Sequence, residues 1–306
     1  MKLFSSVQQV VSEGGWPGVI CIGNFDGVHL GHVGLLHAAK ALGPVLVLTF
    51  EPHPVEMLFP ERAPKRIATP ARKLELLAQQ AVSAVVMQTF DVPFAALSAA
   101  QFERLLFAEL GAHTVAIGAN FSYGARRTGS IQTLHEAGRQ LGGRLFVFPE
   151  LKVAGEVVSS SKIRHLVSTG EVAQAKHCLG RPFELQGEVA YGEQRGRGIG
   201  FPTANVHCAD VLMPKPGVYA VAFALGEGAF RGGVANLGHK PTFSSPPSPR
   251  VELEVHVPGA TGDWYGEKAT VHFLSRLRDE RRFDCVEDLK AQIKADISAA
   301  QPFLKP

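Results

Sequence analysis

Two histidines three positions apart follow a short apolar run and precede a helical pattern in the segment CIGNFDGVHLGH. His29 and His32 lie among glycines at positions 23, 27 and 31. Glycines let a backbone approach phosphate closely, a helix N-terminus attracts anions, and imidazoles donate hydrogen bonds to oxygens that gain negative charge. The segment therefore predicts phosphate chemistry with stabilisation of a transition state. The alternatives are a pair of solvated or capping histidines and, less well supported for want of a third ligand pattern, a zinc site.

Three further segments in the first half of the chain could hold a phosphorylated ligand. They are EPHP at 51–54, GANFSYGARR at 118–127 and SSSKIR at 159–164. Taken singly they are a turn, a glycine loop with solvated arginines and a serine N-cap. Taken together they offer hydroxyls, helix-end amides and cationic side chains, which clasp a polyphosphate.

A glycine-rich segment in the second half, RGRGIGFPTAN at 195–205, indicates a second phosphate site. The Thr203 hydroxyl and the Asn205 carbonyl oxygen are hard ligands of the kind that Mg²⁺ prefers. A flexible loop with solvated arginines is the alternative, because the segment matches neither of the common nucleotide-binding glycine motifs.

The segment RVELEVH at 250–256 alternates polar and apolar residues. Period two places Glu252, Glu254 and His256 on one face of a strand. That face is either the solvent side of a sheet or the wall of a cavity. In a cavity, a carboxylate could accept a proton from a substrate hydroxyl.

The elements that must position these residues alternate between strand and helix in the first half. Apolar runs predict strands at 18–23, 44–50, 83–90, 113–118 and 144–150, and amphipathic patterns predict helices at 32–42, 69–81, 98–110 and 130–142. Thr69 with Pro70, and Ser98 with Gln101, are helix-start signals. Five alternations predict an α/β domain with a Rossmann-like parallel sheet.

The pattern changes after about residue 182. Short strands at 184–192, 217–226, 230–238, 250–257 and 268–276 are separated by glycine- and proline-rich turns, and a helix at 285–300 follows. This predicts a small antiparallel barrel or sandwich. We expect two domains, 1–182 and 183–306, with two short helices joining them.

Composition narrows the class of protein. The 306 residues are 45% hydrophobic and 19% charged, with a net charge of +3. This mild excess suits small anions and does not indicate a nucleic-acid partner. No apolar run approaches the ~20 residues of a membrane helix, and four scattered cysteines indicate a reducing compartment. We expect a soluble, cytoplasmic monomer or weak homo-oligomer with no nucleic-acid or membrane partner.

The segments GNFDGVHLGH, FEPHPVEMLF, IGANFSYG and SSSKIR together resemble the nucleotidyltransferase superfamily, and more closely the adenylyltransferase half of the bifunctional bacterial riboflavin kinase/FAD synthetases. The resemblance implies that His29 and His32 stabilise the transition state in which FMN attacks ATP and pyrophosphate leaves. It implies an ATP site formed by Gly23, Asn24, Phe25, Asp26, His29, His32, Ser160, Ser161 and Arg164. It implies a flavin site formed by His53, Pro54, Phe59 and Asn120. Asn120 stands where aspartate is common, and Ser161 where threonine is common.

The segments GRGIGFPTAN, ANLGHKPTF and GDWYG resemble the riboflavin kinase module of the same family. The resemblance implies a six-stranded β-barrel with a C-terminal helix, and Glu254 as the base that activates a ribityl hydroxyl. Gly196, Arg197, Gly198, Thr203 and Asn205 would bind ATP phosphates, and Thr203 and Asn205 would also bind Mg²⁺.

The resemblance thus implies a bifunctional enzyme. Its second half would phosphorylate riboflavin to FMN, and its first half would convert FMN to FAD, with ATP as co-substrate and Mg²⁺ as cofactor in both steps. Two alternatives stay open at this point. One is a nucleotidyltransferase for another phosphorylated substrate, and the other is a regulator that binds flavin or nucleotide without turnover.

Overall fold

A computed structural model describes residues 1–191, 198–240, 250–260 and 262–303. The chain divides into two compact units, Met1–Ser160 and Ser161–Pro306. The division of activities between residues 182 and 183 stays a prediction.

Six parallel strands form the sheet of the first unit. They are β1 Lys2–Phe4, β2 Val19–Ile22, β3 Val45–Glu51, β4 Ala84–Thr89, β5 Thr114–Gly118 and β6 Arg144–Phe148. Their spatial order is β1-β4-β3-β2-β5-β6, and every neighbouring pair runs parallel. Because the chain moves outward from β2 through β3 and β4 and then returns to β5, the switch point lies beside β2, where open α/β sheets bind ligands.

Helices cover both faces of this sheet. They are α1 Val7–Ser12, α2 Leu30–Lys40, α3 Pro54–Leu58, α4 Pro70–Gln79, α5 Val92–Ala95, α6 Ala99–Arg104 and α7 Ile131–Gln140. Ile20 and Ile22 of β2 belong to one apolar cluster, whereas Val19 and Cys21 belong to another. Successive strand residues thus serve opposite faces, and the strand is buried throughout.

The predicted parallel sheet and the four predicted helices are confirmed, with two differences. The helix predicted at 98–110 ends as α6 at Arg104 and continues as a π-helical turn, Leu105–Glu109. The sequence patterns also gave no signal for β1 or α1, because a three-residue strand and a six-residue helix are too short to show a period. Both predicted helix-start signals are present: Thr69 accepts from Arg72 N–H, and a capping box spans Ser98 and Gln101.

A short hairpin precedes two helices. Its strands are β7 Lys152–Val153 and β8 Glu156–Val157, and the helices are α8 Ser160–Thr169 and α9 Val172–Leu179. These are the two short helices that the sequence predicts. Helix α9 ends at Gly180, whose φ of 74° is the left-handed conformation that glycine adopts readily.

The second unit is a closed antiparallel barrel. Its strands are β9 Phe183–Ala190, β10 Ala204–Cys208, β11 Gly217–Leu225, β12 Arg231–Lys240, β13 Arg250–His256 and β14 Lys268–Arg278, closed in the order β10-β13-β12-β11-β14-β9. The six-stranded barrel is therefore confirmed. Strand β10 is the one that the sequence patterns did not locate, since it follows a glycine-rich segment directly.

A C-terminal helix, α10 Val286–Ala300, packs on the outside of the barrel. Arg278 of β14 donates from Nε and Nη2 to the two carboxylate oxygens of Asp296, at 2.9 and 2.7 Å. Gln292 donates to the same carboxylate at 2.7 Å. Asp296 is only 4% exposed, so this bidentate pair fastens the helix to the barrel. Among the helices of the described residues, none is long and apolar enough to cross a membrane.

Candidate active sites

The backbone after β2 makes a tight, strained turn before α2. Phe25, Gly27 and Val28 have φ angles of 50°, 75° and 37°. A β-branched residue rarely adopts a positive φ, because its side chain crowds the backbone. Such strain concentrates at functional sites, where the surrounding structure holds it in place.

Asp26 is the main anchor of this turn. Its carboxylate is 8% exposed and accepts hydrogen bonds from Ile67 N–H at 3.0 and 3.1 Å and from Ala68 N–H at 3.3 Å. A Cβ atom on Gly27 would lie 2.7 Å from Cγ2 of Ile67, so only glycine fits there. Asp26 therefore shapes the turn through the segment before α4, and its place in an ATP site stays a prediction.

The two histidines stack at the start of α2. Their ring centroids are 3.6 Å apart and their planes are inclined by 15°. Nδ1 of His29 accepts a hydrogen bond from the backbone N–H of His32 at 3.3 Å, which caps the helix. Because Nδ1 is an acceptor, a neutral His29 carries its proton on Nε2 and can donate from that atom.

His32 is held in its neutral form. Burial, and then the charges of His29 and Lys73, keep the pKa of His32 well below its usual 6.5. Its Nδ1 atom is buried and has no hydrogen-bond partner among the described residues. A lone pair is less costly to leave unpaired than an N–H group would be, so we place the proton on Nε2. In that tautomer His32 can donate from Nε2.

A buried lysine that the sequence did not single out lies beneath this turn. Lys73 of α4 is 6% exposed. It donates to Phe50 O at 3.2 Å, to Thr49 Oγ1 at 3.3 Å and to Asn24 O at 3.4 Å. The segment RKLELL gives no signal for this role, because a lysine on an amphipathic helix is ordinarily at the surface.

The predicted flavin residue His53 meets the predicted ATP-site residue Asn24. The Asn24 amide lies 3.1 Å from Nε2 of His53, while Nδ1 of His53 accepts from Val55 N–H at 3.2 Å. The atom of Asn24 in this contact is Nδ2, and which of the two nitrogens donates depends on the tautomer of His53. His53 also caps α3, and Pro54 is the first residue of that helix.

Two other predicted flavin residues, Phe59 and Asn120, follow α3 and β5. Phe59, the residue after α3, is 51% exposed. Asn120 follows β5, the neighbour of β2, and donates to Glu150 at 2.7 Å. In this structure the Asn120 amide is therefore hydrogen-bonded to the Glu150 carboxylate.

Ser160 connects the start of α8 to the histidine turn. Its hydroxyl donates to the carbonyl oxygen of Asp26 at 3.2 Å. Ser161 and Arg164 follow in the same helix and belong to the second compact unit. Gly23, which ends the approach from β2, would bring a Cβ atom within 3.2 Å of the Phe25 ring.

In the barrel, three polar residues form a row across adjacent strands. Glu254 of β13 pairs in register with Asn205 of β10 on one side and with Asn236 of β12 on the other. Residues directly opposite in antiparallel strands point to the same face, so the three side chains lie side by side. Leu253 and Val255 face the barrel core and are almost completely buried, which confirms the predicted alternation.

The segment that carries Thr203 is fixed beside this row. Nδ1 of His256 lies 2.8 Å from the carbonyl oxygen of Pro202, to which it donates, and its ring packs edge-on against Phe201. Thr203 is half-buried and Gly198 is exposed. The predicted residues Gly196 and Arg197 lie outside the described residues.

Asn236 is a residue of this row that the sequence reasoning missed as a site residue. It donates to Glu280 Oε1 at 3.4 Å. The signal was present in the segment ANLG, but only the strand register shows that Asn236 is adjacent to Glu254. Within the described residues there is no group of three or more His, Cys, Asp or Glu that could hold a metal ion.

Comparisons with known proteins identify the two halves of the chain. The family model for FAD synthetase matches residues 15–162, and the family model for riboflavin kinase matches residues 179–304. A bifunctional riboflavin kinase/FMN adenylyltransferase from Escherichia coli K12 is 37% identical over 99% of this chain and 98% of its own length. The enzyme of the same name from Pseudomonas fluorescens is 37% identical over 94% of this chain and 93% of its own length.

One solved structure matches both units. It is the crystal structure of a protein named macrolide-efflux protein from Streptococcus pneumoniae, with a TM-score of 0.83 and 29% identity over 94% of each chain. Two family models in succession and relatives similar over nearly their whole length identify both halves. The chain belongs to the bifunctional riboflavin kinase/FMN adenylyltransferase family, whose members phosphorylate riboflavin to FMN and adenylylate FMN to FAD with ATP as co-substrate.

Proposed function

We propose that the paired imidazoles of the first unit catalyse adenylyl transfer. With both Nε2–H groups as donors, His29 and His32 would stabilise the negative charge that develops on the α-phosphate oxygens as the FMN phosphate attacks and pyrophosphate leaves. The observation that supports this most is the stacked pair at a helix start, with one ring oriented by a backbone N–H and the other kept neutral. No covalent enzyme intermediate is needed, because positioning and charge stabilisation suffice.

The remaining predicted residues would bind the two substrates of that step. Asn24 and Asp26 would shape the ATP site, with Gly23 and Phe25 forming its backbone wall. Ser160, Ser161 and Arg164 at the start of α8 would hold the outer phosphates through hydroxyls and a guanidinium. His53, Pro54, Phe59 and Asn120 would line the flavin site.

We further propose that the row on the barrel catalyses riboflavin phosphorylation. Glu254 would accept the proton of the ribityl hydroxyl as it attacks the terminal phosphate of ATP. Asn205 and Thr203, with Gly196, Arg197 and Gly198, would hold the ATP phosphates. The support is the register that places Asn205 directly beside Glu254.

The donor set of the barrel site fits Mg²⁺. Thr203 and Asn205 supply one hydroxyl and one amide oxygen, and Mg²⁺ ordinarily takes only one or two protein oxygens and fills its other positions with water and substrate phosphates. When bound, the ion would neutralise charge on the phosphates. Thr203 and Asn205 would orient that complex, and Glu254 would manage the proton.

Two single substitutions separate the activities. His29→Asn keeps a side-chain oxygen that can cap α2 but removes the imidazole, so incubation with riboflavin, ATP and Mg²⁺ should stop at FMN. Glu254→Gln should lower the rate of FMN formation by about 10²-fold or more. The same variant should still convert supplied FMN to FAD. Chromatographic separation of the three flavins measures both results.

A matched control and a contradicting result complete this test. Glu252→Gln changes a carboxylate on the same strand face that pairs in register with Gly238 instead of Asn205, and it should leave both rates within about twofold. Loss of both activities in each single variant would contradict the assignment. Flavin binding without any product in the wild type would favour the regulator, and adenylylation of a different phosphate would favour the alternative transferase.

We also propose that this enzyme works in the cytoplasm as a monomer or weak homo-oligomer, without a nucleic-acid or membrane partner. The net charge of +3 and the four cysteines, which form no disulfide, support this. Size-exclusion chromatography with light scattering and fractionation of cells test it. A large stable oligomer, or recovery with the membranes, would contradict it.

A further inference from the structure

We propose that Lys73 is a positioning residue for adenylyl transfer: its ammonium group fixes the backbone of the histidine turn to the end of β3 and holds a fixed positive charge near the imidazole pair. This inference rests on the proposed role of His29 and His32. It assigns a role to a residue of α4 that none of the sequence motifs includes.

The first support is the saturation of the ammonium group. An ammonium has three N–H donors, and Lys73 has three acceptors: Phe50 O at 3.2 Å, Thr49 Oγ1 at 3.3 Å and Asn24 O at 3.4 Å. Thr49 Oγ1 in turn donates to Asn24 O at 3.0 Å. No donor remains for a phosphate, so Lys73 acts through the groups that it holds.

The second support is the place of those acceptors. Asn24 O belongs to the turn that leads from β2 to the histidines, whereas Thr49 and Phe50 belong to the end of β3. The carboxyl ends of these two adjacent strands form the edge where the site lies. Lys73 therefore links the turn after β2 to the end of β3. It binds the backbone oxygen of Asn24, so the Asn24 side chain remains in contact with His53.

The third support is that an ionisable group lies here although its burial has a cost. Lys73 is 6% exposed, and burial lowers its pKa, with Arg66 adding to the effect while Glu51 and Asp26 oppose it. Its nearest acidic oxygen, Glu51 Oε2, is 4.0 Å away, and Glu51 itself pairs with Arg66 at 2.5 Å. A methionine could fill the same volume without this desolvation cost. The charge is thus better explained by the site than by packing.

The consequence falls on His32. The charged or titratable groups that act on it are His29, its stacking neighbour, and Lys73. Both oppose its protonation, so His32 stays neutral before substrate binds. A polyphosphate that enters would therefore meet a neutral His32 imidazole beside the ammonium group of Lys73.

The central test is Lys73→Met, with Lys40→Met as the matched control. Lys40 lies on the exposed face of α2 and donates to Gln80 O at 2.9 Å. In Lys73→Met we expect kcat/KM for FMN adenylylation to fall by about tenfold to a hundredfold, because the turn loses its tether. Riboflavin phosphorylation should stay within about twofold, and Lys40→Met should match the wild type in both activities.

A second readout separates a functional charge from a structural one. Histidine ring carbons labelled for NMR, with His32 assigned from a His32→Gln spectrum, report the pKa of His32 directly. That pKa should rise in Lys73→Met, and the acidic limb of the adenylylation pH profile should move to higher pH. Thr49→Val keeps volume and charge but loosens the tether, so we expect a loss of about threefold to tenfold with the His32 titration unchanged.

Three results would overturn the proposed role of Lys73, and a fourth would reject the proposed function instead. An adenylylation rate of Lys73→Met within about twofold of wild type overturns the inference, as does loss of activity with an unchanged His32 titration. If circular dichroism shows that Lys73→Met does not fold, an unimpaired Thr49→Val overturns it. Failure of the wild type itself to convert FMN to FAD would instead reject the proposed function.

Discussion

The carboxylate of Asp26 should be worth about 2 kcal/mol to the stability of the first unit. Asp26→Asn keeps the size and one acceptor oxygen but removes the negative charge from the bonds to Ile67 and Ala68. A hydrogen bond to a charged group contributes about 1.5–3 kcal/mol, and a neutral one about 0.5–1.5. Each of the two backbone donors therefore loses about 1 kcal/mol.

The two tryptophans of the chain make the assay specific. Trp16 lies in the first unit and Trp264 in the second, and the sequence contains no others. In a Trp264→Phe background, Trp16 fluorescence during urea unfolding reports the first unit alone. The midpoint should fall without a change in slope, which identifies a change in stability. FMN adenylylation should also slow, because the turn that carries His29 loses its anchor.

Asp91→Asn is the matched control. Asp91 caps α5 by accepting from Phe94 N–H at 2.9 Å, in an exposed position. Asparagine caps about as well as aspartate, so this change should cost less than about 0.5 kcal/mol. An Asp26→Asn protein within about 0.5 kcal/mol of the wild type, or equal to Asp91→Asn, would refute the reasoning that buried backbone amides depend on the Asp26 charge.

Three further predictions concern the same packing and charges. Gly27→Ala should lower the stability of the first unit by about 2–4 kcal/mol in the Trp16 assay, since it adds left-handed strain and a contact of 2.7 Å with Ile67. The free energy of unfolding should decline as pH falls through 6.5, because His32 binds a proton in the unfolded chain but stays neutral in the folded one. His32→Gln should remove up to about 1.4 kcal/mol per pH unit of that slope. Asp296→Asn should cost the second unit about 3 kcal/mol, measured with Trp264, because Arg278 loses its charged partner.

Local patterns predicted most of the first unit correctly. The strand before His29 is a continuous apolar run, and a parallel strand buried on both faces requires such a run. The start of α4 is set by Thr69 and Pro70, whose effects act within one helical turn. These features depend on neighbours in sequence, so they can be read without the fold.

Lys73 and Asn236 show what local patterns could not predict. Lys73 lies on an amphipathic helix as many surface lysines do, and only the packing of α4 against the end of β3 buries it. Asn236 becomes a site residue through the pairing of β12 with β13. Strand β10 is likewise identified only by its pairing with β9 and β13 in the closed barrel.

The amino-acid sequence by itself indicated the two chemistries of this protein, because the types and spacings of its imidazoles, glycines and carboxylates are those that phosphate chemistry uses. It also determined the family, through motifs that follow one another along both halves. The tertiary structure alone decided which groups meet. The pKa of His32, the burial of Lys73 and the pairing of Glu254 with Asn205 arise from contacts between residues far apart in the chain, and electrostatic energies depend on distance in space and on desolvation, not on sequence separation.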